Sequence, residues 1–288
     1  MNHRLLVTLA LALLGAGCLA HRNRVAGWSA ASVGFGEVSD TIVAALVEDG
    51  DKAWAARSDP RQIPEAMRAY RAALHERPSD PSLMVHLGRL AFYRAQLHGG
   101  KGAALLYSDA ASWAERALAM SNPPLAQAAL ANKKPSDIFA LAQPADEDAL
   151  VLYAESLLWW AVDTNTTTVI DQKAMIEAAA GRALALDRSA GYGAPDRVLA
   201  VLACELPVAR QNLREALDHF EAAIAAAPAY LPTRLLYAEE YAVRLREAPL
   251  YRRLLHEVVD GDPRALVEAQ PENEAAQREA QKLLKWLQ

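Results

Sequence analysis

The chain has 288 residues, 52% of them hydrophobic, and a formal net charge of −5 with acidic and basic side chains intermixed. That length and apolar content suffice to bury one substantial core or two modest ones. No basic stripe runs through the sequence, which argues against a nucleic-acid partner, because phosphate backbones are held by clustered Lys and Arg.

Residues 1–17 read as a leader that is removed. Arg4 supplies a positive start, residues 5–14 are almost unbroken apolar, and Gly15, Ala16 and Gly17 are the small residues a signal peptidase accepts. Residues 5–20 are too few for a comfortable transmembrane helix, and His21, Arg22 and Arg24 close the stretch with charge. The small-small-Cys ending resembles the lipobox of bacterial lipoproteins, which implies acylation of Cys18 as the new N-terminus and a lipid anchor in the membrane. The alternative is an ordinary secretory peptide with an incidental cysteine. Leu19 rather than Asp follows Cys18, which under the sorting rule of enteric bacteria directs a lipoprotein to the outer membrane. Residues 18–38 then form the lipidated N-terminus and a tether, Gly/Ser-containing over 27–36, and residues 39–288 form the folded domain. With Cys18 lipidated, Cys204 has no disulfide partner. It follows the apolar run Val198-Leu199-Ala200-Val201-Leu202-Ala203 and reads as a small buried hydrophobe.

Beyond the tether, Ala, Leu, Glu and Arg recur with helical period and no convincing alternating strand appears, which predicts an all-α fold of about 11 to 13 helices. Breaks are expected at Asp59-Pro60, Asp80-Pro81, Asn122-Pro123 and Asp262-Pro263. In each pair the first residue is suited to cap a new helix, with the proline in its first turn. Residues 96–102 read as a loop, and 121–148 as a longer irregular region with several prolines. The amphipathic segment 271–288, with Leu283, Leu284 and Leu287 on one side, suits a C-terminal cap.

The chain repeats internally. Ala66, Tyr70, Ala73 and Pro78 share their spacing of four, three and five with Ala216, Phe220, Ala223 and Pro228. This is the second-helix pattern of a TPR, in which small residues let paired helices approach and the aromatic fills the groove between them. Leu87-Gly88 and Tyr237-Ala238 with Tyr241 follow at the offsets of the next first helix, and weaker copies begin at Trp113-Ala114 and Ala179-Ala180. The expected architecture is a TPR-like helical-hairpin solenoid.

No motif for catalysis, a cofactor or a metal stands out. His256-Glu257 has Asp260 where a second metal-binding histidine would stand, and the remaining histidines are scattered. Gly34-Phe35-Gly36, Gly191-Tyr192-Gly193 and His98-Gly99-Gly100-Lys101-Gly102 lack the companions of a nucleotide-binding loop and read as plain loops. The expectation is a protein that binds rather than catalyses. Aromatic pairs are its candidate binding chemistry: Phe92-Tyr93, Trp159-Trp160, and Tyr237 with Tyr241. Counting from Leu87-Gly88 puts Phe92 near the inner groove with Arg89 one turn earlier, and Trp159 falls similarly if Ala154 takes the small position. The candidate ligand-binding residues are therefore Arg89, Phe92, Tyr93, Trp159 and Trp160, with core packing as the competing role of each aromatic.

Several segments resemble one family in order along the chain. They are Gly50-Asp51-Lys52-Ala53-Trp54 with Arg57-Ser58-Asp59-Pro60, Tyr153-Ala154-Glu155-Ser156-Leu157-Leu158-Trp159-Trp160, and Arg182-Ala183-Leu184-Ala185-Leu186-Asp187. Leu217-Asp218-His219-Phe220-Glu221-Ala222-Ala223-Ile224, Leu235-Leu236-Tyr237-Ala238-Glu239-Glu240-Tyr241-Ala242 and Leu254-Leu255-His256-Glu257-Val258-Val259-Asp260-Gly261-Asp262-Pro263 complete the set. Together they resemble the T-component (TatT) lipoproteins of TPR-associated TRAP transporters. The resemblance implies a periplasmic helical lipoprotein curved around a pore-like, partly apolar cavity that accepts an apolar or organic-acid ligand, forms a homotrimer and pairs with a substrate-binding P-component. The chain departs from the family at residues 206–212, where a glycine-rich turn is usual, and in a final helix less rich in arginine. A general TPR scaffold for envelope assembly is the alternative function.

Overall fold

The structure, a computed structural model, describes residues 24–29, 40–99 and 102–287. Cys18 and residues 30–38 of the expected tether lie outside them. The described residues are predominantly helical, without a strand. In order come α1 (Asp40–Ala55), α2 (Gln62–Glu76), α3 (Pro81–His98), α4 (Ala103–Ser121), α5 (Pro123–Leu130) and α6 (Pro135–Phe139). They are followed by α7 (Glu147–Thr164), α8 (Thr166–Leu186), α9 (Ala190–Glu205), α10 (Leu213–Ala226) and α11 (Pro232–Leu236). A π-helical segment (Tyr237–Ala242) joins α11 to α12 (Val243–Leu245), and α13 (Ala248–Asp260) and α14 (Gln270–Trp286) complete the chain. Packing runs from neighbour to neighbour along α1, α2, α3 and α4, then α7 to α10, with α5 and α6 as an excursion. None of the described helices is long and apolar enough to cross a membrane.

The two strongest repeat matches occupy equivalent places. Ala66, Tyr70 and Ala73 on α2, and Ala216, Phe220 and Ala223 on α10, are all 0% exposed. Tyr70 stacks on His86 of the next helix at 4.5 Å, and Phe220 stacks on Tyr237 at 5.0 Å. Small residues are required around these rings. A Cβ on Gly50 would lie 2.5 Å from the Tyr70 ring, while the Tyr70 hydroxyl donates to Asp51 Oδ1 at 2.7 Å.

Two of the four Xaa-Pro breaks cap helices as expected. Asp80 accepts from the Ser82 N–H at 2.9 Å, and Asn122 Oδ1 accepts from the Leu125 N–H at 3.2 Å. The other two make turns instead. Asp59 Oδ1 accepts from the Arg61 N–H and Asp262 Oδ1 from the Arg264 N–H, so each side chain closes a local turn, and α2 and α14 begin later. The same short side chain that caps a helix also serves an Asx-turn. Of the expected loop at 96–102, the part up to His98 belongs to α3. The expected irregular region holds α5, α6 and a short turn, gathered by the buried Asp146, whose carboxylate accepts from Ser121 Oγ, Asn122 Nδ2 and the Gln143 N–H at 2.6–2.8 Å.

The C-terminal helix α14 buries Pro271, Asn273, Ala276 and Ala280, while Leu287 is 39% exposed. Its inward amides rivet it in place. Asn273 accepts from the Leu231 N–H at 2.9 Å and donates to the Ala229 and Pro263 carbonyls. Gln277 donates to the carbonyls of Val258, Val259 and Gly261 at the end of α13, satisfying acceptors that a helix leaves open there.

Residues 24–29 lie along α4 rather than apart from the domain. The fully buried Glu115 accepts from Arg24 at 2.6 and 2.8 Å and from the Gly27 N–H at 2.6 Å, and Trp28 packs edge-on against Tyr153.

Acids within the π-helical segment are held at an electrostatic disadvantage. Burial, with Glu279 nearby, pushes the Glu239 carboxyl from an ordinary 4.5 up to about 7. Burial and Glu205 likewise raise Glu240, although Arg244 opposes the shift.

Two predictions follow from this packing. Gly50→Ala should lower stability by about 1–3 kcal/mol through overpacking against Tyr70. Gly181→Ala, whose Cβ would meet nothing within 4 Å in the interior of α8, should raise it by about 0.5–1 kcal/mol; urea melts of both variants check the pair. The second concerns pH. An acid whose folded pKa is raised binds its proton more tightly in the folded chain, so stability falls as pH rises from the ordinary carboxylate range through about 7. The melting temperature should therefore be pulled down by these acids between about pH 4.5 and 8, and Glu239→Gln should raise it at pH 8 while leaving it nearly unchanged at about pH 4.

A candidate ligand cavity between the chain ends

A cavity of ≈390 Å³ lies where the N-terminal helices meet the C-terminal one. Its keystone is Arg57, in the turn after α1 and only 5% exposed. Its guanidinium grips both oxygens of Glu272 on α14 at 2.9 and 2.6 Å and donates to the carbonyls of Glu268 at 2.6 Å and Trp54 at 3.1 Å. It lies 4.3 Å from the Trp54 ring centroid and 5.7 Å from that of Tyr93, within cation–π range. The Tyr93 hydroxyl donates to the Arg57 carbonyl at 3.4 Å.

On α3 the wall is made by Arg89, Phe92, Tyr93 and Gln96. Their spacing of three, four and seven is that of one helix face, so the register counted from Gly88 places them on the cavity side. On α7 the same spacing brings Asp148, Val151, Leu152 and Glu155 to face them, and Arg89 pairs with Asp148 across the gap.

The third wall is built on an unusual backbone. Gly191, Tyr192 and Gly193 all have positive φ, at 53°, 60° and 79°. This left-handed run comes easily to glycine and at a cost of order 1–3 kcal/mol to tyrosine. A Cβ on Gly193 would lie 2.9 Å from the Ala223 carbonyl oxygen of α10. Arg197 holds the run together by donating to the carbonyls of Gly191 and Tyr192 and to Glu155 Oε1 at 2.9 Å. The strain aims the Tyr192 ring into the cavity, where it stacks on Tyr230 at 5.1 Å. Arg197 lies 4.6 Å from the Tyr230 ring. Burial, then Glu268 and Glu272, push the Tyr192 hydroxyl up against the opposing pull of Arg57 and Arg89.

Arg89, Phe92 and Tyr93 thus come together in this cavity, whereas Trp159 and Trp160 are not among its lining. Trp159 continues the α7 stripe one turn beyond Glu155. It stacks on Tyr107 at 6.3 Å, and Tyr107 in turn meets Phe92 edge-on at 5.3 Å, so Trp159 sits one ring behind the wall. Trp160, roughly 100° further round the helix, is buried in the core with Arg24 over its ring at 5.9 Å. Tyr237 and Tyr241 pack around Phe220. Sequence reasoning missed Trp54, Arg57, Tyr192, Arg197, Tyr230 and Glu272. The one local signal was Gly191-Tyr192-Gly193, where flanking glycines permit the left-handed turn.

Cys204 is fully buried, and burial pushes its thiol up to about 12, so at neutral pH it packs as a small hydrophobe. Among the described residues no three His, Cys, Asp or Glu side chains gather as a metal site.

No curated protein matches the chain. The family model described as TRAP transporter T-component matches residues 62–288, a span that holds the whole cavity lining except Trp54 and Arg57. Well over half of the sequence falls within that match, and the chain belongs to the TRAP transporter T-component family.

Proposed function

We propose that this T-component is an exported lipoprotein, anchored through Cys18, that binds a substrate-binding P-component and shelters a small ligand in the cavity between its chain ends. Family membership makes it a component of a TRAP transport system and hence associated with the cell envelope. The observation that carries the ligand half is the cavity itself. Five aromatic rings, three arginines and four carboxylates converge on a space of ≈390 Å³, within the size range of small-molecule sites. A strained tyrosine, rather than a relaxed one, is aimed into it, and such strain concentrates at ligand clamps. The role is recognition and transfer without bond chemistry: the arginines are engaged by carboxylates or backbone carbonyls, and aromatic faces rather than an activated nucleophile line the walls.

The anchor rests on the leader reading. Cys18→Ser should block processing by the lipoprotein route and release the chain from the outer-membrane fraction; a soluble, unacylated mature protein made from the native sequence would defeat this part. Partner binding is tested separately. Full-length protein in detergent, mixed with the P-component of its own TRAP system, should co-elute with it. Alone it should sediment as a trimer at micromolar concentration. Separate elution removes the P-component from the reading, and a strict monomer removes the trimer.

A further inference from the structure

We infer that the domain rests against the lipid bilayer at the start of α4, held there by residues 24–29 as a docked strap, so that the anchoring membrane is the partner of this surface. The inference rests on the proposed anchor at Cys18 and adds which side of the fold meets the lipid.

The strap is part of the packed domain. Arg24 donates to both oxygens of Glu115 at 2.6 and 2.8 Å, the Gly27 N–H donates to the same carboxylate at 2.6 Å, and Ser112 Oγ donates to the Val25 carbonyl at 2.6 Å. Trp28 is 9% exposed and belongs to the main apolar core, edge-on to Tyr153 at 5.6 Å. A Cβ at position 27 would lie 2.2 Å from the Ser112 carbonyl oxygen, so only glycine lets the strap approach α4 this closely. Lifting the strap would strip the fully buried Glu115 of its cation and of an N–H donor, and a buried carboxylate that loses its partner is strongly disfavoured. The span between anchor and domain therefore ends at Arg24 rather than at α1.

Residues 19–23 alone separate Arg24 from Cys18. At full extension that connection covers at most about 22 Å, about half the width of a compact domain of this length. The far side of the fold is out of its reach. Val25 meets Ser112 and Gly27 lies between Ser112 and Arg116, so the strap runs parallel to α4 and its upstream end points to the start of that helix. From Ser112 that start is only about 14 Å away. Leu105, Ser108, Ser112 and Arg116 share one helix face by their spacing of three, four and four. The strap covers this stripe from Ser112 onward and leaves Leu105 bare, at 62% exposure. Leu97, at the end of α3 across the same turn, is 46% exposed, and Val25 on the strap itself 80%. Large apolar side chains open to one side suit a bilayer interface, and Arg22 in the connection adds a cation for anionic head groups.

Fluorophores on introduced cysteines test the orientation, since Cys18 is acylated in the anchored chain and Cys204 is buried. Leu105→Cys marks the proposed contact. Val243→Cys marks a distant site, 54% exposed on α12, which packs chiefly on the π-helical segment. With the full lipidated chain on phosphatidylethanolamine–phosphatidylglycerol vesicles, quenching by a lipid bearing a nitroxide on its head group should be at least about 2-fold stronger at position 105 than at 243, because the connection reaches only the first. An insertion of about 20 Gly and Ser residues between Asn23 and Arg24, adding about 25 Å of average reach, should abolish that difference and leave the melting temperature unchanged. Equal or stronger quenching at position 243 without the insertion overturns the inference while leaving the anchor in place. A difference that survives the insertion overturns the strap as its cause. If the lipidated chain does not float with the vesicles at all, the anchor reading fails and this inference with it.

Discussion

Arg57 and Glu272 stand 215 residues apart in sequence and share two hydrogen bonds. Removing a guanidinium and a carboxylate from water is costly, and such a pair persists only when its geometry is good and its remaining donors are occupied. Both conditions are met, because the same guanidinium also serves the Trp54 and Glu268 carbonyls and lies over an indole ring. The contact joins the first helical hairpin to the last helix at the cavity. Beside it Trp54 and Tyr93 meet edge-on at 5.6 Å.

How the ends come to meet is decided by the packing between them. Helices built around alanine and glycine approach closely, and one aromatic per repeat wedges each pair at a defined spacing. Tyr70 against Gly50 and His86, and Phe220 against Tyr237, set that spacing at two distant points of the chain. Gly193 does the same at the third wall by letting the left-handed turn lie against the backbone of α10.

The cavity combines apolar faces with charges that are almost entirely matched inside the protein. A lining of this kind differs from an anion-binding pocket, where donors are left open for the ligand. Here the arginines of the lining are already paired, Arg57 with Glu272, Arg89 with Asp148 and Arg197 with Glu155.

The all-helical class, the two repeat units and the caps at Asp80 and Asn122 were legible in the sequence, since each depends on residues a few positions apart. So was the cavity face of α3, because three-and-four spacing fixes which side chains share a side of a helix. The same spacing on α7 carried Trp159 onto the right stripe but could not say where along the helix the cavity stops, and Tyr107 from α4 covers that ring. Asp59 and Asp262 look like Asp80 in sequence and make turns instead, because an Asx side chain serves either structure and the neighbouring helices select one. Arg57, Tyr230 and Glu272 were out of reach of any local pattern, and at Tyr192 the flanking glycines were the sole local sign. Their partnership exists only once the helices have packed so that Arg57 meets Glu272, 215 residues away, and that packing comes from contacts between helices rather than from periodicity within one.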